Sequence, residues 1–195
     1  MLSTAETVQS IVERVLKKLA AEKKTALVVF TGGASGFNES LSELRKMLQD
    51  GWNLKVALST SAEYIFTSDL IKTQLGIDEV YLETKNTGLK PLYEDASLLI
   101  LPTLTTNTAA KVACGITDTM TTNLVLQGIT SGLTVIATTD SSDLTHTDRT
   151  QLGLDNYPKT YKKLFDSYLV TLESFGIELV KSTNIYQAVQ RNFWQ

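Results

Sequence analysis

Short apolar runs alternate with amphipathic stretches along the chain. Val8, Ile11, Val12, Val15, Leu16 and Leu19 recur at spacings of three and four, which predicts an amphipathic helix over residues 5–22. Ser3 with Glu6 forms a capping-box pattern at its start, and Glu13, Arg14, Lys17 and Lys18 fall on the other side. A small linker, residues 21–24, separates it from a short apolar run at 26–30 that includes the β-branched Val28 and Val29, read as a buried strand. Further strands are predicted at 54–58, 79–82, 97–101, 133–137 and 178–180. Helices are predicted at 41–48, 62–74, 108–131 (broken near Gly115), 157–175 and 185–193. The chain thus divides into a helix and linker, 1–24, and a single domain, 25–195.

Apolar strands alternating with helices predict right-handed β-α-β crossovers with both sheet faces covered. The fold class is α/β: a doubly wound, mainly parallel Rossmann/flavodoxin-like sheet flanked by helices. Ligands of such sheets sit beyond the carboxyl ends of the strands. The informative loops are therefore 31–37, 59–62, 83–95, 102–108 and 138–150.

Composition narrows the chemistry. The 195 residues carry a formal charge of −3, which argues against a basic nucleic-acid footprint. One cysteine, Cys114, excludes an intramolecular disulfide framework, and one histidine, His146, leaves too few ligands for an ordinary zinc site. No apolar run is long enough to span a bilayer, and the first residues lack a continuous apolar signal core, so the expected location is cytoplasmic.

Thr31-Gly32-Gly33-Ala34-Ser35-Gly36 follows the first strand. Small residues there let backbone N–H groups approach an anion, although the spacing is neither a Walker loop nor a full GxGxxG. A plain tight turn explains it equally well. Ser59-Thr60-Ser61 ends the second strand and suits either helix capping or a phosphate. Two such loops side by side favour a phosphorylated ligand. The loop from Pro102 through Thr103, Leu104, Thr105, Thr106, Asn107 and Thr108 offers hydroxyls and a carboxamide but no carboxylate, so it suits an anionic or hydrogen-bonding ligand better than a metal.

With these motifs in register, the chain resembles the FMN-binding flavoprotein family that includes the peptidyl-cysteine and phosphopantothenoylcysteine decarboxylases. The family's T-G-S-like turn is matched by Thr31-Gly32-Gly33. Its A-D, four apolar residues, A-P-x-T-A-N-T and K-x-x-x-G-x-x-D signature falls in register with Ala96-Ser97, residues 98–101, Pro102 to Thr108, and Lys111, Gly115 and Asp118, except that Thr103 stands at the signature's Pro and Pro102 comes one residue earlier. The similarity spans about residues 25–140. Leu89 stands where the decarboxylases place a catalytic His, and Thr138-Thr139-Asp140-Ser141 stands where they carry their substrate segment. The resemblance therefore implies FMN but argues against cysteine decarboxylation. It implies a redox role, as a flavin reductase or electron-transfer protein, with NAD(P)H or another redox partner. A decarboxylase-like lyase and a non-catalytic flavin carrier are the alternatives. Gly32, Gly33, Ala34, Thr60 and Ser61 would surround the phosphate and ribityl chain. Thr105, Thr106, Asn107 and Thr108 would meet the isoalloxazine or substrate, with Thr139 beside them. Asn107 is the one catalytic candidate. Relatives form trimers or dodecamers, and some are encoded with bacterial microcompartments; residues 5–22 would then address a shell or cargo protein, the alternative being a helix docked on its own domain.

Cys114, inside a predicted helix, reads as a packing residue. His146 reads as a solvated loop histidine, while Trp52 and Trp194 read as packing residues. Tyr93 is a candidate cover for the flavin ring, and Asp140 and Asp143 are too few for a metal site.

Overall fold

The computed structural model describes residues 24–85 and 88–193; the helix expected over 5–22 and Trp194 lie outside the described residues. Six strands form one sheet: β1 Thr25–Phe30, β2 Asn53–Leu58, β3 Val80–Leu82, β4 Leu98–Leu101, β5 Thr134–Thr138 and β6 Ile177–Val180. Their order is β3-β2-β1-β4-β5-β6, and every pairing is parallel. The expected doubly wound sheet is therefore present, and fully parallel rather than mainly so.

All six positions of β1 are buried. No face of that strand is left to water, so its side chains split between two cores. Ala26, Val28 and Phe30 pack with Leu41, Leu44 and Met47 of α1 (Phe37–Gln49) and with Ile185 and Val189 of α9 (Ile185–Phe193). Leu27 and Val29 enter the opposite core with Ala109 of α5 (Thr106–Ala113), Leu124 and Val125 of α6 (Met120–Thr130) and Leu172 of α8 (Lys159–Ser174). Burying a side chain of the Val or Leu class contributes about 1.5–3 kcal/mol, so these two layers hold the strand ends in register.

The helix expected over 62–74 is two helices, α2 (Thr60–Phe66) and α3 (Ser68–Leu75). Thr67 separates them at φ 55°, and its hydroxyl accepts from the Leu70 N–H at 3.3 Å. In one straight helix Phe66 and Ile71, five residues apart, would face different directions. The break sends both into the same core. Likewise the segment expected over 108–131 ends at Ala113 and restarts at Met120. A short helix α4 (Lys90–Tyr93) lies in the loop expected at 83–95, and α7 (Thr147–Gln151) lies at the end of the loop after β5. No helix among the described residues is long and apolar enough to cross a membrane.

Candidate functional site

β1 and β4 are neighbours, yet the chain leaves them toward opposite sides of the sheet order, which makes their carboxyl ends the switch point of the fold. Two buried threonines join them there. The Thr31 N–H donates to Thr103 Oγ1 at 3.0 Å, the Thr103 hydroxyl donates to the Thr31 carbonyl at 2.9 Å, and the Thr31 hydroxyl donates to the Thr103 carbonyl. The neighbouring Pro102 carbonyl accepts hydroxyls from Ser40 and Thr138, each at 2.8 Å. Peptide groups that have left the ladder are thus paired by side chains instead.

Gly32 and Gly33 do different work. A Cβ on Gly32 would lie 2.7 Å from Ser61 Cβ, so that glycine lets the turn after β1 touch the start of α2. A Cβ on Gly33 would lie 2.4 Å from both Cβ and Oγ of Ser141. Ser141 in turn donates to the Ser35 carbonyl at 2.7 Å, and Arg149 donates to the Ser141 carbonyl at 2.9 Å. The turn is thereby clamped from both sides.

Beyond these strand ends lies a polar cleft of about 670 Å³. The structure brings Gly32, Thr60, Ser61, Thr105, Asn107 and Thr108 together on its walls. Thr105 caps α5, its Oγ1 accepting from the Thr108 N–H at 3.3 Å, and this cap presents Asn107 and Thr108 on the first turn. Gly33, Ala34, Thr106 and Thr139 are not on those walls. The Gly33 N–H donates back to the Thr31 carbonyl at 2.8 Å, and the Thr139 N–H donates to the Val180 carbonyl at 2.9 Å, on the β6 side.

The cleft also contains Lys111, Asp118, Thr119, Thr121 and Glu83. Lys111 Nζ lies 2.9 Å from both oxygens of Asp118. Glu83 was not among the sequence candidates. Register places it: Leu58 pairs with Leu82, so the residue after β3 lands beside the end of β2. Its carboxylate accepts from the Thr60 N–H at 2.8 Å, the Thr60 hydroxyl at 3.0 Å and the Met120 N–H at 2.6 Å. An acid immediately after an edge strand was the available signal, but it acquires meaning only once strand order is known. A second, smaller cavity of about 250 Å³ adjoins across Glu83, Asp118 and Thr119, and Leu89 lines it with Leu82, Leu92 and Met120.

Cys114 is exposed, not packed, because α5 ends at Ala113 and leaves it at the cap. His146 is not a freely solvated loop residue: its Nδ1 accepts from the Asp148 N–H at 3.3 Å, and its Nε2 lies 3.9 Å from Asp140. Asp140 is buried and accepts from the Ser182 N–H at 2.7 Å. Tyr93 packs half-buried on the second core, outside the cleft lining. Trp52 is a core residue set edge-on to Phe193.

This arrangement is that of a doubly wound sheet with a polar, hydroxyl-rich cleft at its switch point. The flavoprotein family model matches residues 15–163, and the chain belongs to that family. Among solved structures, the Burkholderia xenovorans DmrB apo form, described as a cubic protein cage for redox transfer, superposes with a TM-score of 0.70 at 18% identity, covering 88% of this chain and 96% of that one. A mutant PPC decarboxylase complexed with pantothenoylaminoethenethiol gives 0.59 at 19%, covering 88% and 98%. A dodecameric FMN-dependent UbiX-like decarboxylase from Escherichia coli O157:H7 gives 0.60 at 11%, covering 87% and 95%. At these identities the likeness establishes the shared fold. No protein of curated function matches the chain in sequence.

Proposed function

We propose that this chain binds FMN in the switch-point cleft and acts as a flavin reductase or electron-transfer protein. The observation that carries the reading is the cleft itself. Gly32, Thr60, Ser61, Thr105, Asn107 and Thr108 line a space of about 670 Å³ and supply it with hydroxyl groups, the Asn107 carboxamide and backbone groups. The contact of Gly32 with Ser61 keeps the two donor loops adjacent, as a terminal phosphate and polyol chain require. The ionisable side chains of the lining are engaged, Glu83 with Thr60 and Met120 and Lys111 with Asp118, which supports a reactive group supplied by a cofactor. When bound, the isoalloxazine supplies hydride or electron transfer. The chain's own residues position it: the loop after β1 and the start of α2 hold the phosphate end, while Asn107 and Thr108 hydrogen-bond at the ring end.

Leu89 supports the redox reading over the lyase. It lies in the adjoining cavity among Leu82, Leu92 and Met120, and a leucine transfers no proton. Incubation of the full chain with FMN, followed by anaerobic addition of NADH or NADPH, tests the proposal. Bleaching of the flavin band by either nicotinamide supports the reductase. A bound flavin that neither reduces indicates a carrier, and release of CO₂ from peptidyl-cysteine or phosphopantothenoylcysteine would establish the lyase instead.

The same reading includes a homo-oligomer, trimer or dodecamer, supported by the dodecameric UbiX-like protein and the DmrB cage. Residues 5–22 would address a microcompartment shell or cargo protein through their apolar stripe. Deleting residues 1–22 should leave flavin content and oligomer size intact and abolish co-assembly. Aggregation or flavin loss would show that the stripe covers the protein's own surface.

A further inference from the structure

The donors best suited to a phosphate are already engaged. Thr60 offers both its N–H and its hydroxyl, and both go to one oxygen of Glu83; the other oxygen takes the Met120 N–H. All three are neutral donors, and no cation pairs with this carboxylate among the described residues; the nearby Lys111 is engaged with Asp118. Glu83 also lines both cavities, so its side chain is part of the partition between a polar cleft and a smaller, more apolar one.

We propose that Glu83 is a resident anion of the cleft: it holds the Thr60 donors that a ligand phosphate would take, and so determines how strongly the cleft prefers a phosphorylated to an unphosphorylated flavin. The inference rests on the flavin reading above and deepens it. Two anions cannot share the same N–H and O–H groups. A ligand phosphate must turn Glu83 away from Thr60 or bind beside a like charge, and each route subtracts from the phosphate's contribution. Riboflavin, which ends in a neutral hydroxyl, meets no such competition.

Titration of the full chain with FMN and with riboflavin, followed by quenching of flavin fluorescence, tests this. In the unmodified protein the phosphate should improve affinity by less than about tenfold; a gain of about tenfold or more overturns the proposal. In E83Q and E83A, FMN should bind about tenfold or more tightly than to the unmodified protein, the scale set by one charge-assisted hydrogen bond, while riboflavin changes by less than about threefold. Gln keeps the shape and one acceptor, so E83Q guards against a misfolded E83A. Unchanged or weakened FMN binding in a folded variant, or equal shifts for both flavins, would show that Glu83 builds the cleft rather than competing in it. If neither flavin binds any version, the flavin reading itself falls, and this proposal with it; if riboflavin binds normally and FMN ignores the substitution, only the role of Glu83 falls.

Discussion

Lys111 Nζ sits 2.9 Å from both carboxylate oxygens of Asp118, closing the loop between α5 and α6. Gly115, at φ 69°, reverses the chain between them. The K-x-x-x-G-x-x-D spacing thus has a local physical cause: a helix end, a left-handed turn and an ion pair that returns the chain to the cleft. The pair is partly exposed, so its stability contribution is about 0–1 kcal/mol. Its main effect should be on shape. Lys111→Met should lower the melting temperature only slightly but weaken flavin binding several-fold, as measured by thermal unfolding and flavin titration.

Gly33→Ala should be strongly destabilising, because the new methyl meets Ser141 Cβ and Oγ at 2.4 Å. Overpacking of this kind costs about 1–3 kcal/mol. Combining it with Ser141→Gly removes the obstructing atoms and should recover part of that loss in urea unfolding. Failure of the second change to recover any stability would show that the clash is relieved elsewhere.

Thr103→Val keeps the volume and removes the hydroxyl that both accepts from the Thr31 N–H and donates to its carbonyl. Both Thr31 and Thr103 are buried, so the orphaned groups should cost about 1–3 kcal/mol. A lowered urea midpoint with an unchanged slope is the expected result.

Asn107→Ala should act on the ligand rather than on the fold. The residue is exposed on the first turn of α5 and lines the cleft, while the cap of that helix belongs to Thr105. We expect loss of flavin affinity or altered flavin reduction with a melting temperature within about two degrees, since surface changes away from special features stay within about 0.5 kcal/mol. Unchanged binding and redox behaviour would remove Asn107 from the site.

Burial alone would raise the Asp143 carboxyl, but hydrogen bonds from Thr145 and the Lys181 ammonium outweigh it and hold the group below the usual carboxylate range. A lowered folded-state value means that Asp143 stabilises the protein above its unfolded-state pKa. That contribution is lost as pH falls through the folded value. Asp143→Asn should therefore flatten the acid side of the stability-versus-pH curve and have its largest effect near neutral pH, read by urea unfolding across pH 3–7.

Much of this architecture is legible in the apolar runs. Ala26 to Phe30 and Leu98 to Leu101 carry no polar alternation, and both strands are buried on two faces. Thr67 was illegible because a non-glycine residue at positive φ has no compositional mark; tertiary burial of Phe66 and Ile71 imposes it. In the cleft, Gly32, Thr60, Ser61 and Asn107 were visible as strand-end motifs. The different task of Gly33 was not, because it depends on Ser141, 108 residues later in the chain. Glu83 was missed for a related reason: its partners Thr60 and Met120 are 23 and 37 residues away, and only sheet order brings them together.

The Thr31–Thr103 staple has a kinetic corollary. Its partners are 72 residues apart, and neither half of the sheet holds both walls of the cleft. Local β-α-β units form early, whereas a contact of this separation requires the loop-closure entropy to be met first. The cleft is therefore assembled only when the two halves of the chain dock. Appearance of the ligand-binding signal during refolding should accordingly follow the bulk of helix formation, and a bound ligand should slow global unfolding while leaving the exchange of frayed helix ends untouched.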